Sequence, residues 1–171
     1  PPRSTLFPYT TLFRSQADHQ KPRPELSTIL VNFFRILLGA FLVFAGTAHL
    51  TFSRQEFLAQ VPPWAPLDGD LVVILSGIAE IALGLSLIFL SKHRALVGLA
   101  TAVFFVLIFP GNISQYVNRI DAFGLNSDQS RFMRLFFQPV LVIWALWSTG
   151  AWRKLRKTKF DLKDFLTTAS G

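Results

Sequence analysis

Four long apolar stretches, separated by short polar ones, dominate the pattern along the chain: Ile29 to Phe52, Leu71 to Leu90, Ala95 to about Asn112, and Phe132 to Gly150. A helix needs about 20 apolar residues to cross about 30 Å of hydrocarbon, and each stretch comes close to that length. The third is the shortest. Its apolar part stops near Pro110, so it extends through Gly111 and Asn112 or tilts little. Lipid leaves no partner for unpaired backbone groups and the chain shows no barrel-like alternation, so the expected fold is all-α: a polytopic four-transmembrane-helix bundle over residues 29–152.

Composition agrees with that reading. Apolar residues make up 51% of the 171, aromatic residues 14% and charged residues only 16%, with 18 Phe and 4 Trp. A soluble domain of this size keeps far more charge on its surface. The absence of cysteine excludes disulfides, thiolate metal sites, iron–sulfur clusters and any chemistry on the chain's own thiols.

Pro1 to Ser15, PPRSTLFPYTTLFRS, matches residue for residue one reading frame of the adapter oligonucleotide used in short-read sequencing, and is expected to be an artefact without ordered structure. A targeting peptide would show a continuous apolar core and a small-residue cleavage site, and neither is present. Without that segment, 156 residues carry 15 basic and 10 acidic side chains. Residues 16–28 read as a flexible lead-in, and residues 153–171 as a basic tail containing Arg153, Lys154, Arg156, Lys157, Lys159 and Lys163. Tryptophans just ahead of the tail favour a membrane interface over nucleic acid, which would require a folded soluble face.

Charge also sets the expected orientation. Lys21 and Arg23 precede the first span, Lys92 and Arg94 lie in the tight turn between spans two and three, and the basic tail follows span four. The loops Ser53 to Asp70 and Gly111 to Arg131 dilute their arginines with five acids. The positive-inside rule then puts both termini in the cytoplasm.

Polar residues within the spans are the candidate chemistry. Glu80 lies about 14 Å of helix rise from Leu71, near the bilayer midplane, where a charged side chain costs about 3 kcal/mol. Ser76, Gly77, Glu80 and Gly84 share one face, so small residues surround the acid and should turn it into the bundle. The same faces leave self-association open. His49 ends the first span, Asn112 follows Phe109-Pro110-Gly111, and Arg134 and Gln138 stand one turn apart in span four. All converge on the outer half. Arg134 is the expected counter-charge of Glu80, and Pro139 is expected to free a carbonyl beside Gln138. Helix glue is the alternative role for Glu80, and helix termination the alternative for Asn112. Arg35, near the inner end of span one, is expected to snorkel to lipid phosphate. His49 and His93 fall at opposite ends and cannot share one haem iron; no metal site, phosphate loop or hydrolytic triad is indicated.

From about Arg35 to Trp152 the chain resembles the DoxX family of small four-helix membrane proteins. The resemblance rests on Gly39 to His49 (GAFLVFAGTAH), Val61 to Pro66 (VPPWAP), Ser76 to Gly84 (SGIAEIALG), Phe109 to Ile113 (FPGNI), and Arg134 with Gln138. It implies a bacterial inner-membrane protein, and some relatives are membrane subunits of quinone-linked sulfur oxidation or act in oxidant defence with soluble partners. On that basis the outer cluster would bind a quinone-like molecule, with Glu80 or His49 exchanging protons while a redox partner supplies electrons. Asn112, Arg134, Gln138 and Trp64 would contact the ligand, and Phe104, Phe105 and Phe136 would line an apolar pocket. The competing expectation is a non-catalytic anchor or assembly factor whose loops or tail dock a soluble partner. Solute transport is weaker, since the spans show little inverted-repeat signal.

Overall fold

The computed structural model describes residues 26–158. The adapter-like segment, most of the lead-in and the tail from Lys159 onward lie outside them. Four long helices are present: α1 (Leu26–Leu50), α3 (Gly69–Phe89), α4 (Arg94–Val117) and α5 (Asp128–Thr149), with a short α2 (Arg54–Leu58) between the first two. Helical residues 151–158 continue beyond Gly150, whose left-handed backbone (φ 73°) breaks the register after α5. All four long helices have the length and apolarity to cross a membrane, and no strand occurs among the described residues. They form an up-and-down bundle in the cyclic order α1, α3, α4, α5. Outward faces are apolar, as at Phe44, Ile78, Val106 and Ile143.

The helices depart from the expected spans most clearly in the third. α4 does not stop near Pro110 but continues seven residues to Val117, so Asn112 lies inside a helix and does not terminate one. Proline removes only one backbone donor, and bundle packing on both sides of it carries the helix through. The expected loop Gly111 to Arg131 therefore shrinks to the residues between Val117 and Asp128. The turn between α3 and α4 is a single 3-10 turn, Ser91–His93. It lies at the same end as both described chain ends, called here the terminal end; the two longer connections form the loop end.

α1 and α3 pack most closely, and glycine is the reason. A Cβ added to Gly39 would stand 2.7 Å from the Gly84 carbonyl oxygen, and one on Gly84 would stand 2.6 Å from that of Gly39. One helical repeat away, Gly46 faces Gly77 in the same way. Seven residues separate the glycines on each helix, so both contacts fall on one antiparallel seam. α4 and α5 form a second tight pair, in which Gly98 leaves room for Thr149. Leu38, Leu42, Leu87, Phe105 and Ala145 fill the terminal half of the bundle with apolar core.

Arg35 does not reach for lipid. It is buried in that half, donating one guanidinium nitrogen to the Leu87 carbonyl and another to Ser91 Oγ at 3.4 Å. The last carbonyls of α3 have no partner within their own helix, and a fork of five donors satisfies them at shorter range than a phosphate beyond the helix end. Arg35→Leu is expected to cost about 1–3 kcal/mol by stranding the Leu87 carbonyl, read as a lower thermal midpoint in detergent. An unchanged midpoint would place the guanidinium elsewhere.

Candidate functional site

The loop half of the bundle encloses a cavity of about 780 Å³, within the range of small-molecule sites. Glu80 and His49, Asn112, Arg134, Gln138 and Trp64 all line it. Six residues from five separate stretches of chain thus share one space. Its walls are otherwise mainly apolar, with Phe104 among them. Phe105 lies in the core instead, and Phe136 faces outward at 57% exposure against Phe132, so neither lines the cavity as expected. Trp64 stands at the rim, 68% exposed.

Glu80 sits at the middle of α3 and is 5% exposed. Its neighbour is His49, also buried, with Nε2 3.4 Å from Glu80 Oε2. The glycine seam creates this pairing. A Cβ on Gly46 would meet Glu80 Cβ at 3.0 Å, and one on Gly77 would meet His49 Cβ at 2.9 Å. Each helix therefore gives up a side chain beside the other helix's ionisable group. Glu80 Oε2 and His49 Nδ1 both remain without a hydrogen-bond partner while buried. Phe57 of α2 stacks on the imidazole with ring centroids 3.3 Å apart.

Arg134 is not the counter-charge of Glu80. It donates to Gln60 Oε1 at 3.2 Å and lies over the Phe123 ring at 4.7 Å, both in the connections at the loop end. Arg134 is in the second turn of α5, shallower than Gln138 by one turn, so the loop groups are within easier reach than an acid at mid-depth. Gln138 is the deeper group. It accepts from Asn112 Nδ2 at 2.9 Å and donates to the Phe105 carbonyl in the turn before Pro110. These two amides tie α4 to α5 across the cavity wall.

Spacing along the spans did not point to the residues that close the loop end. Gln60 donates to Gln115 Oε1 at 2.7 Å, and Gln115 in turn donates to the carbonyls of Ile120 and Ala122. Phe123 adopts a left-handed backbone (φ 57°), and its N–H donates to Glu56 while its ring meets Phe57 at 4.6 Å. Strain of that kind persists only where surrounding contacts over-determine the position. Arg131, buried at the start of α5, pairs with Asp121 and Asp128 and anchors the same connection. Together these contacts roof the cavity. On its side, Leu75 of α3 and Leu107 of α4 border the cavity and are 48% and 70% exposed, so its mouth opens between two sparingly packed helices toward the lipid-facing surface.

No group of three metal-ligating side chains occurs among the described residues. The fold and the cavity define a multi-pass helical membrane protein with a buried, ionisable, ligand-sized site. A family model described as Domain of unknown function (DUF8561) matches residues 38–149, and the chain belongs to that family. The matched stretch contains every cavity residue named above. No curated protein and no solved structure matches the chain.

Proposed function

We propose that this protein binds a small lipophilic molecule with a hydrogen-bonding head, of the quinone class, as the membrane subunit of a redox complex. The observation that carries the reading is the pair of buried polar atoms without a hydrogen-bond partner, His49 Nδ1 and Glu80 Oε2, the latter only in ion-pair range of His49 Nε2 at 3.4 Å, on residues that line a largely apolar cavity of about 780 Å³. A buried polar group left unpaired costs about 1–3 kcal/mol, and a ligand that satisfies it recovers that cost. A quinone fits the donor set. Its ring and tail match the apolar walls and the lipid-side mouth, and its oxygens accept a hydrogen bond when oxidised and donate one when reduced.

The bound quinone would supply two-electron chemistry that this chain, lacking cysteine, does not itself offer. What the chain contributes is placement and a proton. Glu80 and His49, 3.4 Å apart, can hold one proton between carboxyl and imidazole and pass it to a ligand oxygen beside them. Asn112 and Gln138 fix the wall, and the connections at the loop end cover it. Resemblance to the DoxX family supports the assignment to quinone-linked redox work, with electrons coming from a partner protein. It also supports a bacterial cytoplasmic membrane. The terminal end, with six basic and no acidic side chains among the described residues, faces the cytoplasm on this reading.

Gentle detergent extraction followed by mass spectrometry of the bound fraction tests the proposal. The wild-type protein is expected to retain quinone near one per chain, and a short-chain ubiquinone is expected to quench Trp64 fluorescence. Asn112→Leu, which strands Gln138, is expected to weaken that quenching about tenfold. An empty cavity together with no quenching by added quinone would overturn it.

A further inference from the structure

A second concavity, of about 610 Å³, lies at the terminal end, at the opposite end of the bundle from the polar cavity. Two arginines enter it from different elements, Arg94 from the first position of α4 and Arg153 from helical residues 151–158. Ser27 and Thr28 of the first turn of α1 add hydroxyls. Its inner wall is apolar: Val31 of α1 with Ile143 and Trp147 of α5. From Gly150 to Ile143 is about 10 Å of helix rise, so the site runs from a cationic rim into the depth of the acyl chains.

We propose that this groove binds one anionic glycerophospholipid, its phosphate between Arg94 and Arg153 and an acyl chain along Val31, Ile143 and Trp147. Charge complementarity selects the occupant. The described residues at this end include Lys92, Arg94, Arg153, Lys154, Arg156 and Lys157 and no acid, and neither groove arginine makes an ion pair among them. The backbone adds to the same field. α4 starts here with a cation at its first position, no acid in its first turn and no side-chain cap from His93, an arrangement that leaves the positive helix end uncompensated. α3 and α5 start at the loop end, and both have acids in their first turns. Arg153 is already turned toward the site: its guanidinium folds back over Gly150, where a Cβ would lie 3.5 Å from Nη2. Only glycine offers that surface together with the left-handed turn. Arginine forks match phosphate geometry, and the tryptophans supply an interfacial wall at headgroup level.

The test compares retention of phosphatidylglycerol and phosphatidylcholine by the purified full chain, using native mass spectrometry across a detergent series. Wild type is expected to keep one phosphatidylglycerol after phosphatidylcholine is stripped. Arg94→Gln with Arg153→Gln is expected to lower that preference about 30-fold, while Lys154→Gln with Lys157→Gln, which removes the same charge outside the groove, leaves it within about threefold. Inorganic phosphate and glycerol phosphate serve as competitors. Displacement of the lipid by either at millimolar concentration would make the site one for a soluble phosphate and overturn the lipid assignment. So would equal losses in the two double variants, which would reduce the effect to general surface charge. Should the arginine variant fail to fold, phosphatidylglycerol with brominated chains decides on protein with both arginines intact: quenching that is lost in Trp147→Phe with Trp152→Phe, the two groove tryptophans, supports the groove, and quenching that is not lost removes it.

Discussion

Gly77→Val is expected to destabilise the purified protein by roughly 3 kcal/mol, the upper end of overpacking costs, and to abolish ligand retention at the same time. Even a single added carbon at this position meets His49 Cβ at 2.9 Å and the Gly46 carbonyl oxygen at 3.0 Å. Neither atom is the free end of a flexible chain. α1 and α3 must therefore part, and the atoms that part first are those holding His49 beside Glu80. Gly46→Val acts from the other side, against the Gly77 carbonyl oxygen and Glu80 Cβ. Because both substitutions open the same seam, the double variant is expected to cost clearly less than the two single losses combined. Thermal unfolding in detergent measures this, with lipid-facing Ile78→Val as the control from the same helix. A shift no larger than that of Ile78→Val would mean the seam does not exist as described.

Replacing both ionisable partners is expected to separate stability from binding. His49→Leu with Glu80→Leu removes a buried pair whose polar atoms are incompletely satisfied, and such exchanges for apolar side chains are neutral or stabilising by about 1–4 kcal/mol. The same variant is expected to lose bound quinone altogether. Glu80→Leu alone leaves the imidazole buried with no acid beside it, and is expected to be less stable than the double variant. Unfolding midpoints and quinone content of the three proteins provide the comparison. If the double variant melts well below wild type, the pair is helix glue, and the structural alternative for Glu80 holds.

Much of this arrangement was written in the spacing of polar residues along the spans. Glu80 at the middle of its stretch, surrounded by Gly77 and Gly84, already implied an inward-facing acid. Alternation of span direction alone puts His49, Asn112, Arg134 and Gln138 at one end, where they line one cavity. Pairings were harder, because they depend on register between helices. Charge alone matches Arg134 to Glu80, yet the seam of Gly39 with Gly84 and Gly46 with Gly77 sets His49 there instead. That signal was present as two glycines seven residues apart on each of two spans. Gln60, Phe57 and Phe123 carried no comparable signal. Gln60 and Phe123 lie in connections and Phe57 in a five-residue helix too short for a helical period to relate position to facing direction, so their roles depend on the path the backbone takes across the bundle end. Arg35 differs from expectation for a related reason: its partners, the Leu87 carbonyl and Ser91, belong to the end of a neighbouring helix, which the pattern of its own span does not reveal.

The gap between α3 and α4 also affects how any affinity for this site is to be measured. A compound entering there comes out of the hydrophobic phase, where an oily molecule collects at many times its aqueous level. Half-saturation will then follow moles of compound per mole of lipid or detergent, and doubling the micelle or vesicle content at fixed total compound will shift the apparent constant although the protein is unchanged.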